Sequence, residues 1–179
     1  KDRLQTEFRV YLFMCRLVHR GGKHGMLGLW QNGTPRMKLR VFQLDRIMTW
    51  RLPRLKAHFD KIQLQPEILV SQWFMTIFSY TTPLKLTMRI WDFVVLGGWP
   101  AMYQIAFALL ASMESRMRVL DLDGIGKLMR DWKQSGNSML RADQESLRDV
   151  LKEASGMQFG GWVIDVCVYM YIVCYHSLY

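Results

Sequence analysis

The fold is read from four pieces of sequence in order: Leu52-Pro53-Arg54-Leu55-Lys56-Ala57-His58-Phe59, then Ser71-Gln72-Trp73-Phe74-Met75-Thr76-Ile77-Phe78, then Thr82-Pro83-Leu84, then Met88-Arg89-Ile90-Trp91-Asp92. Pro53 opens a short helix with Leu55, Phe59 and Ile62 on one side. Proline suits a first helical turn, where its missing N–H costs nothing. Pro66 opens the next helix, expected to run to about Tyr80, and Thr82-Pro83 starts another that ends near Gly97-Gly98. Trp73, Phe74, Phe78 and Trp91 are large apolar side chains on adjacent helices, and are expected to form the core of a helix array. Arg89 and Asp92, three apart, share a helix face. They are expected to pair with each other or with neighbouring helix ends and so maintain the fold.

Outward from this centre the apolar spacing stays helical. Leu4, Phe8, Tyr11, Leu12, Cys15 and Val18 follow steps of three and four, giving a helix that Gly21 and Gly22 end. Lys1 to Glu7 leads straight into that pattern and reads as helix, not as a secretory leader. Gly25, Gly28 and Gly33 mark a loop. Thr34 is expected to cap a helix begun by Pro35 and carrying Leu39, Phe42 and Ile47. Pro100 starts a helix to about Ser115, and Asp121 to Trp132 forms a shorter one. After a break at Ser135-Gly136-Asn137, an eighth helix is expected from Leu140 to Ala154. No strand alternation is seen before residue 157. The expectation is an all-α, irregular array of about seven or eight helices over residues 1–156, followed by an apolar tail, 157–179. Between Gly160 and Tyr179 the only formally charged side chain is Asp165. A buried final helix, a membrane anchor and a non-native end all remain open for this tail. Asp165 inside a span would cost about 2.5–3.5 kcal/mol.

Composition narrows the function classes. The 179 residues carry a net charge of +9, and half are hydrophobic, which excludes a disordered chain. A basic surface favours phosphates, anionic lipid or an acidic protein. The Lys and Arg residues are scattered singly, with no zinc-finger spacing, RNA-recognition signature or phosphate loop, so no nucleic-acid role is expected. Cys15, Cys167 and Cys174 read as reduced thiols. Cys15 and His19 lie four apart without a third ligand. Asp121-x-Asp123-Gly124 resembles a calcium loop, but its twelfth position is Trp132, not Glu. No metal and no cofactor are therefore expected. His58 has no nucleophile near it in sequence and is expected to cap a helix or make a buried hydrogen bond.

The four pieces resemble the second half of TBC domains, the helical modules that activate Rab-type GTPases. Family members show a Pro-x-Leu-x-x-His-Leu/Phe element, a Trp-Phe helix, then Pro-Leu and Arg-x-Trp-Asp. Glu7-Phe8 and Asp45 extend the likeness, which runs from about Leu4 to Trp132 and outward to Ala154. The resemblance implies that Pro53, Leu55, His58, Trp73, Phe74, Pro83, Leu84, Arg89, Trp91 and Asp92 are mainly structural motif residues of the C-terminal part of such a domain. It implies an enzyme activator in vesicle trafficking rather than an enzyme. Its partner would be a GTP-bound Rab-type GTPase, and its place the cytoplasm at the periphery of endomembranes.

Activation of a Ras-like GTPase needs a cation on the developing phosphate charge and a group that orients the attacking water. The resemblance implies an Arg in Ile-x-x-Asp-x-x-Arg and a Gln in Tyr-x-Gln, both in the first half of the domain. Here no Asp is followed by Arg three residues later and no Tyr by Gln two later; Tyr103-Gln104 has the wrong spacing. Catalytic residues are thus expected to be absent, this chain alone inactive, and the Arg and Gln encoded upstream. A non-catalytic GTPase-binding or scaffold module is the first alternative, and a membrane-anchored helical protein the second. One side of the array, normally covered by first-half helices, is expected to be exposed, apolar and prone to self-association.

Overall fold

A computed structural model describes residues 2–19, 25–82 and 84–134. Among these lie seven α-helices, one 3-10 turn and no strand: α1 (Asp2–His19), the turn Leu27–Leu29, α2 (Pro35–Arg51), α3 (Pro53–Lys61), α4 (Pro66–Thr76), α5 (Leu84–Gly97), α6 (Trp99–Met117) and α7 (Leu122–Gln134). The eighth helix expected from Leu140 and the apolar tail fall outside the described residues, as does Pro83.

Proline sets most of the starts. Pro35, Pro53 and Pro66 each occupy the first position of their helix, and Pro100 the second of α6. Pro53 also ends α2, because the residue before a proline is pushed out of helical geometry. Leu52 accordingly sits at φ −128°, ψ 55°, while its N–H still reaches the Met48 carbonyl at 2.8 Å. Thr34 does not cap as expected. It adopts a left-handed conformation, φ 44°, and its hydroxyl makes no capping bond. Asp121 does cap: its Oδ1 accepts the Gly124 N–H at 2.8 Å, at the start of α7.

Helix α4 stops at Thr76 rather than Tyr80. Ile77 and Phe78 both turn left-handed, at φ 48° and 60°, which is uncommon for residues without glycine's freedom. Burial holds them there. Both side chains are in the core, and the Phe78 ring lies 5.7 Å from that of Trp73. The Phe78 N–H closes the turn on the Trp73 carbonyl at 2.9 Å. The buried hydroxyls that follow are paired. Thr82 donates to the Phe78 carbonyl at 2.9 Å, and Thr87 to the Thr82 carbonyl at 3.1 Å.

Helix α6 is the central element. Met102, Tyr103, Ile105, Ala106, Leu109 and Leu110 are all buried, so this helix is apolar nearly all round, as an interior helix must be. It packs on α2, α4 and α5, while α2 also meets α3, α4 and the 3-10 turn. Gly98 separates α5 from α6 at φ 67°, ψ −142°, a backbone region that is essentially glycine's alone. No described helix is long and apolar enough to cross a membrane.

Candidate interaction site

Helix α3 turns Leu55 and Phe59 into the core and leaves Pro53 exposed at its start. His58, half-buried, donates from Nε2 to the Leu120 carbonyl at 2.8 Å, in the turn between α6 and α7. This part-buried bond ties α3 to chain 62 residues away. Lys56, two residues earlier, reaches Asp45 of α2 at 3.1 Å and Asp60 at 2.5 Å. Partial burial works against the Lys56 charge. Hydrogen bonds to Asp60 and Asp45, and their negative charge, outweigh it and hold the ammonium pKa above its ordinary value.

Trp73 and Phe74 of α4 are fully buried. Phe74 meets Trp99 and Tyr103 of α6 edge-on, with centroids 5.4 and 5.8 Å apart, the geometry that aromatic quadrupoles favour. Trp91 packs half-buried against the core. Leu84, in contrast, is 76% exposed. Arg89 and Asp92 are also exposed, and no ion pair joins them. Their spacing does place them on a common side of α5, but that side faces solvent, so the fold-maintaining pair expected of them does not form.

A buried polar cluster carries no signal in the motif pattern. Arg40 of α2 is only 8% exposed and Gln43 only 1%. Arg40 Nη1 donates to Gln43 Oε1 at 3.0 Å and to the Tyr103 hydroxyl at 3.4 Å, and that hydroxyl donates to Gln43 Oε1 as well. The guanidinium carbon lies 4.2 Å from the centre of the Trp99 ring, a cation–π contact. The Trp99 indole N–H and Arg36 Nη1 converge on the Gly25 carbonyl, at 3.2 and 3.3 Å. Arg40 Nε is buried without an acceptor, and no carboxylate among the described residues neutralises the charge. Arg and Gln are the residue types that GTPase activation uses. Closed into the core and bonded to each other, these two cannot reach a nucleotide. The available hint was their i, i+3 spacing on the side of α2 that also bears Leu44 and Ile47.

The open surface is α1. Leu4, Phe8 and Tyr11 share one stripe of this helix and are all exposed, while Leu17 near its end enters the core. At 1.5 Å per residue the helix is about 27 Å long. Leu4 to Tyr11 takes up about 10 Å of that length, and exposed apolar side chains gathered in this way mark a surface built to be covered. No group of three metal-ligating side chains occurs among the described residues. The Cys15 thiol instead bonds Tyr11, and this bond, before all other causes, raises the phenol's pKa. What the geometry of the described residues offers is a helical scaffold with an uncovered apolar helix and an Arg40–Gln43 pair closed into the core.

Comparison with known proteins gives a consistent picture. Residues 4–117 match the sequence model described as Rab-GTPase-TBC domain. The chain is 30% identical over 116 residues to a Rab GTPase-activating protein, tbc-11, of Caenorhabditis elegans, covering 65% of this chain and 12% of that one. It is 25% identical over 108 residues to the GTPase-activating protein GYP5 of Eremothecium gossypii, covering 60% and 13%. A third relative is the human ecotropic viral integration site 5 protein homolog, 28% identical over 97 residues, covering 54% and 12%. The chain thus spans about one-eighth of the length of these relatives.

Proposed function

Since this chain belongs to the Rab-GTPase-TBC domain family, we propose that it is the C-terminal part of a Rab GTPase-activating module, a scaffold for catalytic groups that residues 1–179 do not supply. One observation carries this reading: the family match spans residues 4–117, yet the described Arg–Gln pair of suitable chemistry, Arg40 and Gln43, is sealed in the core. The exposed stripe of α1 supports it, since that helix is where a further part of the domain would pack. The partner is a GTP-bound Rab-type GTPase, and the working place is the cytoplasmic face of endomembranes, where such GTPases are held. Pro53, Leu55, His58, Trp73, Phe74 and Trp91 shape the scaffold and do not touch the nucleotide. Pro83, Leu84, Arg89 and Asp92 belong to the same family motifs; of these, Leu84, Arg89 and Asp92 face solvent.

Single-turnover GTP hydrolysis by a panel of Rab proteins tests the reading. The chain alone should leave the rates unchanged, and the longer protein that contains it should raise them. An arginine supplied in trans is worth about three to five powers of ten, so the contrast is large. Acceleration by residues 1–179 alone would overturn the scaffold assignment. A longer protein that binds GTP-loaded Rab without accelerating hydrolysis would establish the second reading, a non-catalytic GTPase-binding module, which the sealed Arg40–Gln43 pair also fits.

A further inference from the structure

The outward side of α2 carries a ridge of basic and aromatic side chains. Lys38, Phe42, Arg46 and Trp50 follow one another at steps of four, each beside the last on a ridge that winds about 120° around the helix over its length. Lys38 and Arg46 are exposed, Trp50 is 63% exposed, and Phe42 is half-buried. The row is about 18 Å long at 1.5 Å per residue. Its cations lie against its rings: the Arg46 guanidinium is 5.0 Å from the centre of Phe42, and that of Arg51 is 5.6 Å from the centre of Trp50. Among the described residues no ion pair engages Lys38, Arg46 or Arg51. The neighbouring acid, Asp45, is held by Lys56.

We propose that this row docks on an anionic membrane surface. Trp and Arg together would also suit a protein partner, but protein hot spots are seated in well-packed pockets. Here the Trp50 ring stands exposed near the C-terminal end of α2 with the Arg51 guanidinium beside it, a projecting pair that a deformable surface can take up. Indole rings settle at the headgroup level of a bilayer. A guanidinium stacked on the ring keeps its charge at the same height, among the lipid phosphates. The chain's net charge of +9 adds long-range attraction to any extended negative surface. The setting agrees with the Rab reading, but binding to lipid requires no GTPase, so each can fail without the other.

Co-sedimentation tests it, with phosphatidylcholine vesicles and with vesicles of phosphatidylcholine and phosphatidylserine at about three to one. The chain should bind the mixed vesicles at least about tenfold more tightly, as expected for three basic side chains near the surface. Raising salt from about 0.1 to about 1 M, which cuts the Debye length from about 10 to 3 Å, should remove most of that difference. The variant R46E/R51E should lose about tenfold or more, and W50A should weaken binding while the helical circular dichroism stays unchanged. The charge-keeping variant R46K/R51K should retain most of the binding, because a lipid surface reads charge rather than the guanidinium fork. Equal binding to both vesicle types, as the apolar stripe of α1 alone would give, would overturn the proposal. So would unchanged binding by R46E/R51E. Loss of binding in R46K/R51K would point instead to carboxylates fixed on a protein partner.

Discussion

The Arg40 cluster yields an ordering of mutational effects opposite to the one charge alone would suggest. In Arg40→Met the cation is gone, yet Gln43 Oε1 still accepts from the Tyr103 hydroxyl, so no polar atom is orphaned. The cation–π contact with Trp99 is lost, but so is a desolvated charge with a buried, unpartnered Nε. Exchanging a buried ion for a side chain of similar volume is often near neutral, and the net loss here should be about 0–1 kcal/mol. Tyr103→Phe leaves Gln43 Oε1 paired with Arg40 at 3.0 Å and should cost about 1 kcal/mol. Gln43→Leu is the damaging change. It strips both the guanidinium and the Tyr103 hydroxyl of their shared Gln43 Oε1 acceptor inside the core, for about 3 kcal/mol or more. Urea unfolding followed by tryptophan fluorescence measures this. With a slope of about 2 kcal/mol per molar, the midpoint should fall by about 1.5 M for Gln43→Leu and by under about 0.5 M for Arg40→Met. An Arg40→Met loss equal to that of Gln43→Leu would refute the reasoning, since the charge would then be a net stabiliser and not a tolerated one.

Three further outcomes are expected. His58→Ala should lower stability by about 1 kcal/mol by removing the part-buried bond to the Leu120 carbonyl, read as a drop of a few degrees in the melting temperature; an unchanged melting temperature would mean the bond contributes nothing. Lys56→Met should cost at most about 1 kcal/mol at neutral pH, as for other exposed pairs. The Lys56 pKa is raised on folding, so its contribution is whole below the unfolded value of 10.5 and fades as pH climbs through the higher folded one. The gap between wild type and variant should therefore close only in strongly alkaline buffer, and a gap that closed near pH 7 would contradict the assignment. Phe8→Glu with Tyr11→Glu should disperse self-associated chains in light scattering, because both residues belong to the exposed stripe of α1.

Helix starts were legible wherever a local rule decides them. Pro35, Pro53 and Pro66 are compatible with a first turn and little else inside a helix, so a few neighbouring residues suffice. The core positions of Trp73 and Phe74 were legible for the same reason that large rings are costly to leave in water. Legibility failed where a distant partner decides. Nothing near Ile77 announces a left-handed turn; the core space that takes Phe78 beside Trp73 imposes it. Arg40 looks like one more solvated cation until Tyr103, 63 residues on, supplies its neighbour. For Arg89 and Asp92 the spacing identified a shared side but not its direction, because α5 also carries apolar residues on both flanks. The Lys56 bond to Asp45 lay between these cases: Asp45 was noticed as a motif position, but its partner sits on another helix.

The His58 bond to Leu120 has a consequence for how the molecule is made. Helix α3 has nine residues, too few to persist alone in water. Its clamp lies 62 residues downstream, which at 5–20 residues per second is about 3–12 s of translation. Throughout that interval the nascent Leu52–Phe59 segment has no finished seat. A ribosome paused ahead of the Leu120 codon should present it to chaperones and proteases as unguarded chain.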